Sequence, residues 1–261
     1  MSGATRRPFP HNDIAALEEL LTRIRSQFRR VLIVVEGVYS MDGDIPDLPE
    51  LIRVKKKHGA LLMIDEAHSI GVLGATGGGI GEYFGVDRAD VDLWMGTLSK
   101  AFASCGGYIG GSHAVIDYLK YTLPGFVYSA GMTPANAAAS LAAIRQMRAE
   151  PERLVRLHQR ALLFHRLADQ AGIDTGGSAG TPVIPCVVGD SPALCPAGQR
   201  VVRARYQRLP DSVPGCRRGT GPVAVFHHER AHTRADHAHG GRPRRGTRSP
   251  RNRSSGDDIV R

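Results

Sequence analysis

Three short apolar runs in this 261-residue chain each close on residues able to do acid–base or covalent chemistry. The run at residues 92–97 leads through Thr97, Leu98 and Ser99 to Lys100; the run at 60–64 ends in Asp65, Glu66, Ala67 and His68; the run at 31–35 ends in Glu36, with Ser40 four residues on. A lysine where a buried strand runs out is costly unless its ammonium is compensated or used. As a neutral amine it can form a Schiff base with an aldehyde. An aspartate on a neighbouring strand end can keep a pyridine nitrogen protonated, a histidine three residues later can bond a ring oxygen, and the hydroxyls of Ser40, Thr97 and Ser99 can meet a phosphate. Those needs belong together in one cofactor, pyridoxal phosphate. Taken singly, Asp65-Glu66 reads as a strand-end turn and His68 as a loop histidine. The combination with Lys100 at this spacing selects the cofactor.

The elements that must position these residues follow from periodicity. Residues 12–28 place Ile14, Leu17, Leu20, Leu21 and Ile24 on one helical face behind the cap-type pair Asn12-Asp13. The β-branched stretch at 31–35 predicts a buried strand, 40–46 a turn-rich loop, 48–58 a helix and 60–65 a second strand. Alternation of strand, helix and strand predicts an α/β fold with a helix-covered, mainly parallel sheet, whose carboxyl edge gathers the three strand ends. The glycine-rich segment 71–81 lacks the lysine of a phosphate-binding P-loop and does not link a strand directly to a helix. It is expected to be a flexible loop near the site. Strands at 91–95 and 106–111, a helix at 112–123 started by Ser112, helices at 134–148 and 151–171 behind Pro134 and Pro151, and a strand at 182–188 complete the ordered part.

The formal net charge of +9 suggests nucleic acid until it is located. Residues 191–261 hold 15 arginines, no lysine and 5 acids, so the tail carries +10 and residues 1–190 carry −1. The tail also holds 7 of the 16 prolines and 5 of the 11 histidines, a composition that predicts disorder. Three readings of it stand side by side: a basic tether for nucleic acid or membrane, a metal tract at His227, His228, His232, His237 and His239, or frame-changed sequence without a selected fold. No specific nucleic-acid partner and no metal are expected for the body. Cys105, Cys186, Cys195 and Cys216 show no CxxC pair, and no secretory leader or run of roughly 18 apolar residues is present. Reduced thiols, a cytoplasmic location and no transmembrane segment are the expectation.

The strand ends also carry a resemblance. Glu36-Gly-Val-Tyr-Ser-Met-Asp-Gly-Asp44, Met63-Ile-Asp-Glu-Ala-His-Ser69 and Gly96-Thr-Leu-Ser-Lys-Ala-Phe102, followed by Gly106-Gly-Tyr-Ile-Gly-Gly111 and Val127-Tyr-Ser-Ala130, are similar to motifs of the α-oxoamine synthases, fold-type I pyridoxal-phosphate enzymes that include 8-amino-7-oxononanoate synthase and serine palmitoyltransferase. The match covers roughly residues 11–190, and the stretch 103–111 resembles the serine palmitoyltransferase-like members. The resemblance implies the fold-type I large domain, with Lys100 as the covalent cofactor attachment, Asp65 on the pyridine nitrogen, His68 on the 3′-oxygen, Ala67 under the ring, Thr97 at the phosphate, and Ser40 in contact with the cofactor. It implies a homodimer that condenses an amino acid with an acyl thioester, carried by CoA or an acyl-carrier protein, usually with decarboxylation, to an α-aminoketone. The expected division is a partial large domain at 1–150, a connecting helix and the start of a small domain at 151–190, and the basic tail at 191–261. The family's amino-terminal cofactor loop with its stacking aromatic residue, and its carboxylate-binding arginine, have no recognisable counterpart here. Two alternatives therefore remain: an inactive fragment or non-catalytic partner of such a synthase, or a class I/II aminotransferase.

Overall fold

The computed structural model describes residues 3–187 and the strand Pro222–Phe226. Helix α1, Ile14–Ile24, starts where the Asp13 carboxylate accepts the Ala16 N–H at 2.8 Å, which satisfies one of the orphan donors of the first turn. Strand β1, Leu32–Glu36, leads to α2, Leu48–His58, capped by Asp47 at its start and closed by Gly59 in the left-handed region. Next come β2, Leu61–Asp65, the short α3, Ile80–Phe84, β3, Leu93–Thr97, and β4, Gly107–Gly111. Four helices follow: α4, His113–Thr122, α5, Pro124–Val127, α6, Pro134–Ala149, and α7, Glu152–Gln170. Strand β5, Val183–Val187, then pairs antiparallel with β6, Pro222–Phe226.

The main sheet has the order β1-β2-β3-β4. The pairs β1–β2 and β2–β3 are parallel and β4 returns antiparallel on β3, so the carboxyl ends of β1, β2 and β3 share one edge. Glu36 lies opposite Asp65 and Asp65 opposite Met95 in this register. On one face Ile33, Val35, Leu62 and Ile64 pack with Leu17 and Leu21 of α1 and with Leu48, Leu51, Ile52 and Val54 of α2 to form the core. Burial of such aliphatic side chains, at about 1.5–3 kcal/mol each, is the main force holding α1 and α2 to the sheet.

Four expectations change. Strand β1 is not buried on both faces: it alternates, with Leu32 44% and Val34 53% exposed, because among the described residues α1 and α2 cover only one side. The 71–81 segment is tied down at many points. Gly71 donates to the Gly77 carbonyl at 2.7 Å, Gly79 to that of Leu73 at 3.0 Å, and the Glu82 carboxylate accepts from Thr76 and Gly78. Ser112 stands at the N-cap of α4 without a side-chain cap bond, so its position and not its hydroxyl marks that helix start. Within the tail, the β-branched and aromatic run at 222–226 pairs as a strand; the rest of 191–261, including the five histidines, Cys195 and Cys216, lies outside the described residues. Cys105 and Cys186 are free thiols, and no helix among the described residues is long and apolar enough to cross a membrane.

Candidate active site

Strand alternation decides which side chains meet. In β2, Leu62 and Ile64 enter the core, so Leu61, Met63 and Asp65 point to the open face; Glu36 follows Leu32 and Val34 onto the same face of β1. Two acids therefore stand side by side at the carboxyl edge, where a parallel sheet leaves its strand ends accessible. Asp65 Oδ1 accepts the Ala67 N–H at 2.8 Å, which turns the chain sharply after β2 and brings His68 back over the edge. Glu36 Oε2 accepts the Ser40 N–H at 3.0 Å and so fixes the start of the following loop.

Lys100 sits at the tip of the turn between β3 and β4. Leu98 and Phe102, both buried, anchor that turn on either side, Ser104 N–H donates to the Leu98 carbonyl at 2.9 Å, and Leu98 N–H donates to that of Gly106 at 3.0 Å. The side chain is exposed overall, which corrects the expectation of a buried cation: Leu98 and Ser99 separate it from the end of β3, enough to carry it clear of the sheet. Its head group is nevertheless crowded. Nζ lies 2.5 Å from His68 Nε2, and desolvation lowers the lysine pKa below its ordinary value against the opposing pull of Asp65 and Glu36. Desolvation, aided by the Lys100 charge and opposed by Asp65, lowers the His68 pKa from 6.5 to about 4. The imidazole is neutral at pH 7, so Nε2 is the acceptor, Lys100 the donor, and the ring proton resides on Nδ1.

Thr97 Oγ1 donates to Ser99 Oγ at 3.1 Å and accepts the Ser99 N–H at 3.2 Å, so the two hydroxyls form one polar patch beside the Lys100 turn. The structure thus brings Lys100, His68 and Asp65 together, with Thr97 and Ser99 beside them and Ala67 in the turn; Ser40 joins the group through Glu36. Two further residues belong here. Glu36 lies close enough to act on Lys100, and its signal was present in the sequence as the acid closing the first apolar run. Tyr108, opposite Gly96 on β4, has its phenol pushed up to about 12 by desolvation and by Glu66 and Asp65, so it remains a proton donor near these carboxylates. Only the pairing of β4 with β3 reveals it.

A family model for aminotransferases of class I and II matches residues 1–224. The chain belongs to that family. Among class I and II aminotransferases its relatives are α-oxoamine synthases. It is 39% identical over 213 residues to long chain base biosynthesis protein 2d of Oryza sativa subsp. japonica, covering 76% of this chain and 43% of that one. It is 45% identical over 205 residues to a putative 8-amino-7-oxononanoate synthase of Gloeobacter violaceus, covering 76% and 51%. Serine palmitoyltransferase from S. paucimobilis with bound PLP-myriocin superposes with a TM-score of 0.70 at 29% identity, over 74% of this chain and 50% of that one. The chain spans about half the length of the relatives it matches.

The donor set fits pyridoxal phosphate: a desolvated lysine amine, a carboxylate on the adjacent strand, a neutral histidine against the amine and a hydroxyl pair at the strand end.

Proposed function

We propose that this chain belongs to a pyridoxal-phosphate-dependent acyltransferase that condenses an amino acid with an acyl-CoA or acyl-carrier thioester, usually with decarboxylation, to give an α-aminoketone. The observation that carries it is the Lys100 amine, 2.5 Å from a neutral His68 and beside Asp65 at the carboxyl edge of the parallel sheet. The relatives' names support the substrate class. Bound pyridoxal phosphate supplies an aldehyde for amine capture and a ring that accepts the electron pair released at the substrate Cα.

The chain's own residues do the rest. Asp65 would hold the pyridine nitrogen protonated, and Ala67 would pack beneath the ring. His68 would bond the 3′-oxygen, Thr97 and Ser99 would hold the phosphate, and Ser40 would touch the cofactor. Lys100 would hold the cofactor through Nζ and, once released from it, would be placed to carry the proton of the substrate Cα. A pKa lowered by desolvation serves both tasks, because each needs the neutral amine. In this reading residues 1–150 form part of the large domain, 151–190 supply a connecting helix and the start of a small domain, and the protein acts as a cytoplasmic homodimer without a specific nucleic-acid partner.

Addition of pyridoxal phosphate should produce a visible absorbance band that borohydride converts into a stable label on Lys100, and Lys100→Ala should abolish both. A protein that shows no band and no label on Lys100 rules the reading out. A second reading is a catalytically inactive fragment or non-catalytic partner of such a synthase. Thioester-dependent release of free CoA with an amino acid present excludes that. Formation of a keto acid without CoA release would instead indicate an aminotransferase.

A further inference from the structure

Glu66 follows Asp65 but points the other way, into the protein, where it is 3% exposed. Its carboxylate accepts from Ser69 Oγ and, at 3.3 Å, from the N–H of Ile80, the first residue of α3. Gly79, the N-cap of α3, has φ +88°, and a Cβ there would run into the Glu66 carboxylate, so the backbone closes directly over it. One side chain on the catalytic strand end thus holds both ends of the segment between Ser69 and Ile80.

That segment reaches the other half of the site. Gly71, at φ +76°, passes so close to the residue after Lys100 that a Cβ there would lie 2.6 Å from Ala101 Cβ. His158 of α7 donates to the Val72 carbonyl at 2.7 Å and ties the same stretch to α7. His68 lies immediately before the segment and Lys100 immediately beside it. We propose that Glu66 is a positioning residue that fixes the 69–81 segment, so that the Gly71 backbone holds the Lys100 turn within hydrogen-bond distance of His68. It touches neither cofactor nor substrate in this arrangement; it acts by keeping the amine crowded and water-poor. The inference rests on the reading of Lys100 as the cofactor-capturing amine.

The test labels wild type, Glu66→Ala, Glu66→Gln and Glu66→Met with pyridoxal phosphate and borohydride over a range of pH, and measures amide exchange at Ile80 together with far-UV circular dichroism. In Glu66→Ala, Ser69 and Ile80 lose their acceptor and the segment loosens. Water returns to Lys100, and the pH midpoint of labelling rises by about one unit, equivalent to about tenfold less labelling below it. Ile80 exchange accelerates at least ~10-fold as its hydrogen bond is lost. Both donors meet the same oxygen, Oε2, so Glu66→Gln keeps an acceptor for each and stays near wild type, whereas the similarly sized Glu66→Met keeps none and follows Glu66→Ala. A folded Glu66→Ala with unchanged midpoint and unchanged Ile80 exchange overturns the proposal. If the alanine variant does not fold, an unchanged midpoint and unchanged Ile80 exchange in a folded Glu66→Met overturn it equally. A wild-type chain that takes no label at Lys100 overturns both this inference and the proposed function. Accelerated Ile80 exchange in labelled variants whose midpoint does not move overturns this inference alone.

Discussion

At the scale of single residues, the His68–Lys100 pair sets the chemistry through competition for one small volume of solvent. Desolvation is the largest influence on both groups and pushes both towards neutrality, while Asp65 pulls both the other way. Removing the ammonium with Lys100→Met therefore leaves the main cause in place: the His68 pKa should move up from about 4 yet stay below 6.5, which an NMR titration of its ring protons reads directly. A full return to 6.5 would mean that the lysine charge, and not desolvation, controls the ring. The same shift links to stability. Between pH 4 and 6.5 the unfolded chain binds a proton at His68 that the folded chain does not, so this residue lowers stability as pH falls through that window and has no such effect above it. Lys100→Arg retains the charge but cannot present a neutral amine at pH 7, so it should show no cofactor label despite a native circular dichroism spectrum.

At the scale of elements, the parallel register that sets Glu36 opposite Asp65 and Asp65 opposite Met95 is locked at the opposite end of the strands. Asp92, just before β3, accepts the Leu62 N–H at 2.7 Å and the Lys55 Nζ of α2 at 2.7 Å, and the same ammonium donates to the Asp90 carbonyl at 2.8 Å. One carboxylate thus joins α2, β2 and β3. Asp92→Ala leaves the Leu62 N–H without its acceptor and a mostly buried ammonium without its counter-charge, and should cost about 3 kcal/mol, read as a lowered denaturant midpoint. Asp92→Asn, which still accepts from Leu62, should cost about half as much; equal losses would show that only the charge matters. Elements of this kind were legible in the sequence wherever caps and periodicity agreed: α2 runs from Leu48 to His58 as its apolar spacing predicts, between Asp47 and Gly59. The five-residue α3 and four-residue α5 were not, because neither is long enough to display a helical period. The candidate site was half legible. Lys100, Asp65, His68 and Thr97 announce themselves by type at strand ends, whereas Glu66 reads as one more turn residue until Ser69 and Ile80 fold back over it, and Tyr108 is invisible until β4 pairs with β3.

At the scale of the whole molecule, the site stands at the rim of an apolar sheet face. Leu32, Val34 and Leu61, 44%, 53% and 39% exposed, lie on the side of the sheet that carries Glu36 and Asp65, and no described element covers them. Parallel sheets of α/β proteins ordinarily have both faces covered, and a contiguous exposed apolar patch marks an interaction surface or a liability to self-associate. The alternation that sends Ile33, Val35, Leu62 and Ile64 into the core makes the two faces separable by mutation. Val34→Thr with Leu61→Thr changes only the open face and keeps β propensity at Val34, so the unfolding free energy should change by less than about 0.5 kcal/mol per site. Binding of a fluorescent apolar dye to the native protein should fall severalfold in that double variant, and concentration-dependent association measured by sedimentation should weaken with it. The matched double variant Val35→Thr with Leu62→Thr strikes the core face one residue along each strand and should instead lower the unfolding midpoint and raise dye binding. Equal behaviour of the two pairs would show that the sheet is not one-sided, and the site would then have to be reached from a different direction than the open rim.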